Sequence, residues 1–330
     1  MKLRCRTLDG RFRELCVRWV SQPETGEEGA QDQCVTKELD ALLTELYVLV
    51  DDHVIAPRTG RGRAPLLSDS ELITLAVAQV LLGYHSERRW VRHLHAEPAW
   101  RALFPYLPEQ SGLHRRLKNA RPLLCRAIGV LAQHCPSWFD DLWMTDATPV
   151  PCGSSRETVK RSALAGHAGY GYCASHSRYY WGLKLYLVCT GDGMPIMWCL
   201  ANPKLGEREV VAALLDHNHH LLRTGQILLA DKGFAGREFK QVTDAMGLRL
   251  IRPDRRDETY THGNLGGVRQ WIESVNQTLK GQLDLERHGA RTHEGVFTRI
   301  AQRLLALATG IWHNWNTGVT RKRSLIAYDH

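Results

Sequence analysis

Three carboxylates occur in separate local settings along this chain of 330 residues. Asp146 ends an apolar segment that begins near Trp138, Asp231 ends the apolar run 226–230, and Glu273 lies in a segment with helical periodicity. Two acids at the ends of buried strands and a third on a helix face can converge in one fold. Carboxylate oxygens, completed by water and substrate phosphate, are the ligands that Mg²⁺ and Mn²⁺ prefer. The three residues therefore predict a divalent-metal site suited to phosphodiester chemistry.

Phosphodiester transfer needs an activated oxygen nucleophile and stabilisation of the charge on the leaving oxygen. Two metal ions about 3.5–4 Å apart meet both needs in an in-line displacement. We expect Asp146 to bridge two Mg²⁺ (or Mn²⁺) ions, with Asp231 and Glu273 each binding one of them. All three acids are thus predicted to be catalytic residues as well as metal ligands.

Basic residues accompany these acids in the sequence. Arg269 lies four residues before Glu273, and Lys280 lies seven residues after it, so all three share one face of the predicted helix. We expect Arg269 and Lys280 to neutralise phosphate beside the acids. Lys232, directly after Asp231, is predicted to be a further supporting residue.

Neighbouring acids compete for the same roles. The competing residues are Asp140, Asp141, Asp284 and Glu286. Adjacent residues of a strand point to opposite faces, so at least one of the first pair would face solvent. The second pair follows Gly281, where the helix is expected to end. Taken singly, each predicted metal ligand could be a cap, a turn residue or part of a solvated helix face, but their combination in this order favours a site.

Helical periodicity dominates the first part of the chain. Residues 1–36 show no sustained pattern and are expected to be a poorly ordered extension. From residue 37 to residue 135 apolar residues recur at helical spacing, and Ser68 followed by Glu71 predicts a capping box. We therefore expect residues 37–135 to form an all-helical domain, and the basic residues that it carries, Arg115, Arg116 and Lys118, make it the candidate DNA-binding domain.

The pattern changes at Pro136. Strands are predicted up to Asp146, over 181–190 and 194–201, up to Asp231 and over 248–251, with helices between and after the later ones. A stretch rich in Gly and Ser, ending near residue 178, is expected to be a loop. The order predicts an α/β fold for residues 136–330: a mixed sheet that starts with a hairpin and is flanked by helices, as in ribonuclease-H-like folds.

Composition bounds the partners. The formal net charge is +8 with a pI near 9.1, which favours attraction to polyanions. The longest apolar stretch, 72–82, is too short to span a bilayer, and no secretory signal follows Met1. Nine cysteines without a CxxC pair indicate reduced thiols. We expect a cytoplasmic, nucleoid-associated protein with no membrane partner.

Two basic segments are candidates for contact with DNA. Arg115, Arg116 and Lys118 lie on a predicted helix, and Lys160 and Arg161 lie in the predicted loop after Asp146. Lys280 is a further candidate, and the cluster 321–323 is an alternative to the basic helix. A solvated helix face and a plain surface loop remain open for these segments. The set His167, Cys173 and His176 matches no standard zinc spacing.

Three segments in order carry a resemblance to a known family. Thr145–Pro149 resembles the first-acid motif of bacterial insertion-sequence DDE transposases, and Leu229–Phe234 resembles their second. Arg269, Glu273 and Lys280 are similar to their Arg-x₃-Glu-x₆-Lys signature. One position differs, since Gly266 stands where the family often has Tyr. The resemblance covers roughly residues 37–330 and implies a ribonuclease-H-like core, divalent metal, and cleavage and joining of DNA.

The resulting expectation is a transposase. Water would cleave double-stranded DNA at the terminal inverted repeats of the element, and the freed 3′-hydroxyl would attack target DNA. Assembly on paired ends favours a homodimer. Two alternatives stay open: a nuclease of the same fold that cuts without joining, and a DNA-binding regulator or remnant without catalysis.

Overall fold

A computed structural model describes residues 30–57, 59, 63–173, 177–254 and 265–328, apart from the side chains of 30–37 and 266–269. Within these residues, six helices precede the first strand: α1 (Ala30–His53), α2 (Asp69–Leu81), α3 (Glu87–Ala96), α4 (Pro98–Leu103), α5 (Gln110–Asn119) and α6 (Arg121–Gln133). The all-helical character expected for this part of the chain is therefore observed. Helix α1 begins seven residues before the expected start of the helical region, and residues 1–29 lie outside the described part.

Local signals account for the helix boundaries. Helix α2 opens with the predicted capping box, in which the Ser68 hydroxyl accepts from the Glu71 amide at 3.0 Å and the Glu71 carboxylate accepts from the Ser68 amide at 2.5 Å. Pro122 lies in the first turn of α6, where a missing N–H costs nothing. Helix α5 begins at Gln110 after Glu109 and carries Arg115, Arg116 and Lys118, which the sequence places on a helix.

The rest of the chain forms a mixed sheet covered by helices. The strands are β1 (Leu142–Gly153), β2 (Gly169–Cys173), β3 (Arg178–Thr190), β4 (Pro195–Ala201), β5 (Ile227–Leu229) and β6 (Arg249–Ile251). The helices are α7 (Arg156–Arg161), α8 (Glu207–His217), α9 (Arg237–Ala245), α10 (Gly266–Gly281) and α11 (His293–Asn316). Short 3₁₀ turns at 136–139, 219–221, 232–234, 285–287 and 326–328 complete the described elements.

The sheet has the strand order β2-β3-β1-β5-β6, with β4 also pairing with β3. Strand β1 is antiparallel to β3 and parallel to β5, and β5 is parallel to β6. The first hairpin, the antiparallel neighbour of β1 and the parallel strands that follow form the mixed α/β sheet that the sequence predicts. The ribonuclease-H-like fold class is thus confirmed.

Strand β1 corrects one prediction. Asp146 does not end its strand but is its fifth residue, and Asp140 and Asp141 precede the strand. The part of β1 after Asp146 contains Pro149 and Pro151, which pair with β3. The pairing of β1 with β5 has already ended at Met144. Proline lacks a backbone donor and is tolerated where a strand has an open edge. The prolines, which look like a strand end in the sequence, therefore lie within the strand.

The stretch expected to be a loop contains two elements. Helix α7 starts after Ser155, whose hydroxyl accepts from the Thr158 amide at 3.1 Å. Strand β2 pairs with the start of β3 and is rich in glycine for a steric reason. A side chain at Gly171 would place its Cβ 2.6 Å from the Tyr180 ring, which lies across the strand. Glycine here therefore permits close packing rather than a flexible loop.

Helix α11 joins the helical region to the sheet. Its residues from Ile300 to Asn314 are buried continuously, and it packs against α2, α6 and β4. A helix that is buried on all sides needs covering elements around its whole circumference. The helical region and the sheet therefore share one continuous apolar core. None of the helices in the described parts of the chain is long and apolar enough to cross a membrane.

A buried ion pair crosses the same junction. The Arg299 guanidinium of α11 lies 2.5 Å from the Glu87 carboxylate of α3, and their side chains are only 13% and 9% exposed. Burial lowers the pKa of Arg299, and the nearby Glu87 charge opposes that shift. Removing one partner of such a pair leaves the other charge buried without compensation.

We expect Glu87→Gln to lower the free energy of unfolding by about 3 kcal/mol, because Arg299 would keep its charge in a desolvated site. Chemical denaturation of the purified variant measures this loss. The matched control is Glu157→Gln, whose partner Lys160 is 3.5 Å away in a pair with side chains 66% and 60% exposed. It should change stability by less than about 0.5 kcal/mol. Equal losses in the two variants would contradict a structural role for the buried pair.

Candidate active site

Two of the predicted acids lie where parallel strands separate. The last parallel pair of β1 and β5 joins Met144 to Leu229, and an aspartate follows two residues later in each segment: Asp146 within β1, and Asp231 just after the end of β5. Asp146 and Asp231 therefore stand at the same level beside the gap that opens between the strands. Ligands of open α/β sheets bind in crevices at the carboxyl ends of parallel strands.

The third acid comes from helix α10, which packs against β1. Its inner face buries Ile272, Val275 and Leu279, with exposed fractions of at most 6%. Burial of this apolar stripe fixes the rotation of the helix. Glu273 is exposed and lies beside the gap between the two strands.

All three acids line one small pocket. Its apolar walls include Leu229, Pro253 and Ile272. A much wider open cleft also contains the three acids and extends along α10 to Lys280. The structure thus brings Asp146, Asp231, Glu273 and Lys280 together.

An amide that the sequence analysis did not single out contacts the first acid. The Asn276 side chain of α10 donates to Oδ2 of Asp146 at 2.7 Å. Asn276 lies three residues after Glu273, so both project from neighbouring positions of one helix face. This hydrogen bond orients the Asp146 carboxylate and ties the helix to the central strand.

The donor set fits a hard divalent cation. Three carboxylates in one cleft offer only oxygen donors, which suit Mg²⁺ or Mn²⁺ and do not favour a soft metal. Among the described residues, no three His, Cys, Asp or Glu side chains are close enough to form a complete metal cluster as they stand. Each of the three acids also has a polar or electrostatic contact within the chain. The site is therefore a set of converging donors rather than a closed coordination sphere.

The supporting cations are placed differently from one another. Lys280 lines the open cleft, while Lys232 is exposed in the 3₁₀ turn directly after Asp231. Arg269 belongs to the first turn of α10, but its side chain lies outside the described residues. The contribution predicted for Arg269 stays a prediction.

Two further cations of the cleft carry their own counterions. Lys184 of β3 forms an ion pair with Glu207, and Arg178 lies 2.6 Å from Glu286. All four residues line the open cleft. Sequence spacing gives no sign of these pairs, because their partners are 23 and 108 residues apart. Each of these two cations can bind a phosphate at full strength only after its ion pair with the carboxylate has broken.

Of the predicted DNA-contacting residues, Lys280 lines the cleft, whereas the three on α5 do not. Arg116 forms an ion pair with Asp69 at 2.5 Å, and Lys118 forms one with Glu294. Arg115 is exposed on the same helix. Two of these three residues therefore have an acidic partner within the protein, which agrees with the interpretation of this helix face as a solvated one.

The second basic segment, expected as a loop, is helical. Lys160 and Arg161 end α7 and are exposed, and the Lys160 ammonium lies 3.5 Å from Glu157. In the alternative cluster, Lys322 stacks on the Trp315 ring at 4.3 Å. Arg323 donates to the Gly191 and Trp271 carbonyls.

We expect Asn276→Ala to weaken the binding of Mn²⁺ about 10- to 100-fold, because a ligand that loses its orienting hydrogen bond adopts other rotamers. Calorimetric titration of the protein without nucleic acid measures the affinity. Gln277→Ala, an exposed neighbour on the same helix, is the control and should bind as the parent does. An unchanged affinity for Asn276→Ala would show that the amide does not position a metal ligand.

The sequence model of the family described as "Transposase DDE domain" matches residues 138–308, a range that includes all three acids. No curated protein sequence matches the chain. Among solved structures, the chain is similar to the piggyBac transposase in a synaptic complex with hairpin DNA, seen by cryo-EM. That similarity has 11% identity and a TM-score of 0.38, and it covers 93% of this chain and 82% of the other. Because the family model matches just over half of its length, the chain belongs to the Transposase DDE domain family.

Proposed function

We propose that this DDE transposase acts on an insertion sequence, cleaving double-stranded DNA at the terminal inverted repeats and joining the freed 3′-hydroxyl to target DNA. The observation that carries the proposal is the convergence of Asp146, Asp231 and Glu273 on one cleft within the segment that matches the family. The three acids come from strand β1, the turn after β5 and helix α10, so their meeting depends on the whole sheet. Such an arrangement is suited to a reaction that needs several carboxylates at one phosphate.

Asp146, Asp231 and Glu273 would hold two divalent ions, Mg²⁺ or Mn²⁺. When bound, the ions supply Lewis-acid activation of the attacking oxygen and stabilisation of the leaving oxygen. Asp146 lies between the other two elements and is the candidate for the shared ligand. Because the acids are converging donors rather than a closed sphere, water and substrate phosphate would complete the coordination of each ion.

The remaining cleft residues would position the DNA. Asn276 holds the Asp146 carboxylate in one orientation. Lys280 lines the same cleft and is placed to neutralise a phosphate near the scissile bond. The apolar wall formed by Leu229, Pro253 and Ile272 limits the access of bulk water to the acids. Water admitted for strand cleavage would enter from the open side of the cleft.

The partner chemistry follows from the charge and the reaction. A formal net charge of +8 favours binding of a polyanion over the whole surface. Joining two element ends to one target is most simply served by two copies of the chain related by a twofold axis. The proposed partners are therefore the inverted repeats, target DNA and a second protomer.

The decisive experiment incubates the protein with DNA carrying the flanking inverted repeats, with and without Mg²⁺. We expect nicks at the repeat ends only with Mg²⁺, followed by products in which the 3′ end is joined to a second DNA. Cleavage without joining would favour the alternative of a nuclease with the same fold. No cleavage at all would favour a DNA-binding regulator.

Replacing one acid should separate chemistry from binding. We expect Asp146→Asn to lower the rate of cleavage by several orders of magnitude while binding of the repeat DNA stays near that of the parent, because size is kept and a metal-binding charge is lost. Asp231→Asn and Glu273→Gln should behave alike. The matched control is Asp141→Asn, an exposed acid just before β1, which should cleave normally. Normal cleavage by Asp146→Asn in Mg²⁺ would rule out its assignment.

The basic helix gives a second, independent test. Arg115→Ala should make the fall of log affinity with log salt concentration shallower by about one unit of slope, because one phosphate contact is lost. Arg116→Ala should instead lower the unfolding midpoint, since this side chain pairs with Asp69 and donates to the Leu67 carbonyl. Filter binding at several salt concentrations and thermal unfolding measure the two effects. A salt slope unchanged in Arg115→Ala would make this helix a solvated face.

A further inference from the structure

Three tyrosines project from the β2–β3 hairpin with much of their rings in solvent. The exposed fractions are 56% for Tyr170, 51% for Tyr172 and 79% for Tyr179. These are large values for aromatic side chains on an ordered sheet, and exposed apolar groups that cluster mark interaction surfaces. The described contacts of the hairpin show how the cluster is held.

The three rings share one face of the hairpin. Tyr172 is paired directly with Tyr179 across the strands, and Tyr170 is two residues before Tyr172. The rings of Tyr172 and Tyr179 lie 5.0 Å apart between centroids with their planes inclined by 53°. Paired residues and residues two apart lie on the same side of a sheet. The rings therefore form one aromatic surface, which we call the tyrosine platform.

The opposite face of the hairpin is fixed to the body of the protein. Tyr180 is 6% exposed and Cys173 is 7% exposed. The Tyr180 ring lies across Gly171, where any Cβ would stand 2.6 Å from it. The hairpin is thus anchored by its inner face, and the tyrosine platform contributes little to the core.

The platform borders the cleft that holds the predicted metal ligands. Tyr172 and Arg178 line the same open cleft as Asp146, Asp231 and Lys280. Asp146 pairs with Leu187 of β3, and Tyr179 lies eight residues earlier on that strand, so both project from one face of the sheet. At about 3.4 Å per residue, the platform lies at most about 27 Å from the acids along β3.

The chemistry of the platform favours nucleobases over a protein partner. Stacking of bases on aromatic rings accepts every base, and the tyrosine hydroxyl keeps the rings compatible with water. A stable protein interface buries roughly 800 Å² on each partner, whereas aromatic side chains supply roughly 150–250 Å² each when fully covered. Three part-covered rings fall well short of that area. Tyr172 lies on the wall of a cleft proposed to bind DNA, which gives the bases a route to the platform.

We propose that Tyr170, Tyr172 and Tyr179 form a stacking site for unpaired bases of the bound DNA, at most about eight nucleotides from the scissile phosphate at 3.4 Å per nucleotide. This inference rests on the proposed function, since the scissile phosphate is the one held at the three acids. Strand separation exposes bases, and the platform would hold them and keep the strands apart.

The test uses repeat DNA in which a two-nucleotide unpaired segment carrying 2-aminopurine is moved stepwise away from the cleavage site. Binding is measured in EDTA, where no cleavage occurs. We expect tighter binding and a change in 2-aminopurine fluorescence when the unpaired segment lies at one position within about eight nucleotides of the cleavage site, and not when it lies further away. Tyr172→Ala and Tyr179→Ala should each lose about 5- to 150-fold in affinity for that DNA and far less for fully paired DNA.

Matched variants make the result decisive. Tyr172→Phe and Tyr179→Phe keep the ring and should bind as the parent does, which also shows that the hairpin is intact. Tyr106→Ala, an exposed tyrosine before α5 with 42% exposure, should have no effect. Equal losses on paired DNA, losses in the Phe variants, or no dependence on position would each overturn the stacking site. An altered oligomeric state in the Ala variants would instead assign the face to a second copy of the chain and would equally overturn it.

The same DNA with Mg²⁺ separates this inference from the proposed function. Parent protein that cleaves the repeats but ignores the unpaired segment would retire the stacking site alone. Parent protein that binds the unpaired segment at one position but never cleaves would retire the proposed transposition chemistry.

Discussion

The short parallel pairing between β1 and β5 governs the rest of the structure. It lasts for three residue pairs, while the antiparallel pairing of β1 with β3 continues to the end of β1. Beyond Met144 and Leu229 the two strands no longer pair. Helix α10 and the pocket lined by the three acids lie beside the resulting gap. Pro149 and Pro151 lie on the continuing part of β1, where they cannot donate to a second neighbour. The sequence of the strand thus keeps open the edge at which the acids stand.

Helix α10 packs beside this gap through two kinds of contact, apolar and polar. Its apolar face packs inward through Ile272, Val275 and Leu279, while Glu273 and Asn276 reach the strand side of the cleft. Sliding of the helix would break the hydrogen bond to Asp146 as well as the apolar contacts. Packing of the apolar face therefore places the carboxylate of the helix, which is how several distant parts of a chain define one site.

Some of this could be predicted from the sequence. The capping box at Ser68, the strands other than β2 and the choice of the three candidate acids depend on local patterns, and such patterns survive folding. The end of β1 could not be predicted, because whether a proline is tolerated depends on which edge of the strand finds a partner. Asn276 could not be singled out either, since a hydrogen bond between residues 130 positions apart is set by packing alone. The basic residues on α5 look alike in the sequence, and only the fold shows which of them face an acid.

The all-round burial of α11 determines where the chain can be divided. The segment that matches the family ends at residue 308, inside this helix, and excludes α2 and α6, which cover it. A fragment cut at those limits would expose an apolar helix to water and leave the Arg299 guanidinium without Glu87. The unit that is recognisable by descent is thus smaller than the unit that folds cooperatively. Recombination that exchanged only the catalytic segment between relatives would have to preserve the helical cover as well, so the two parts are constrained to evolve together.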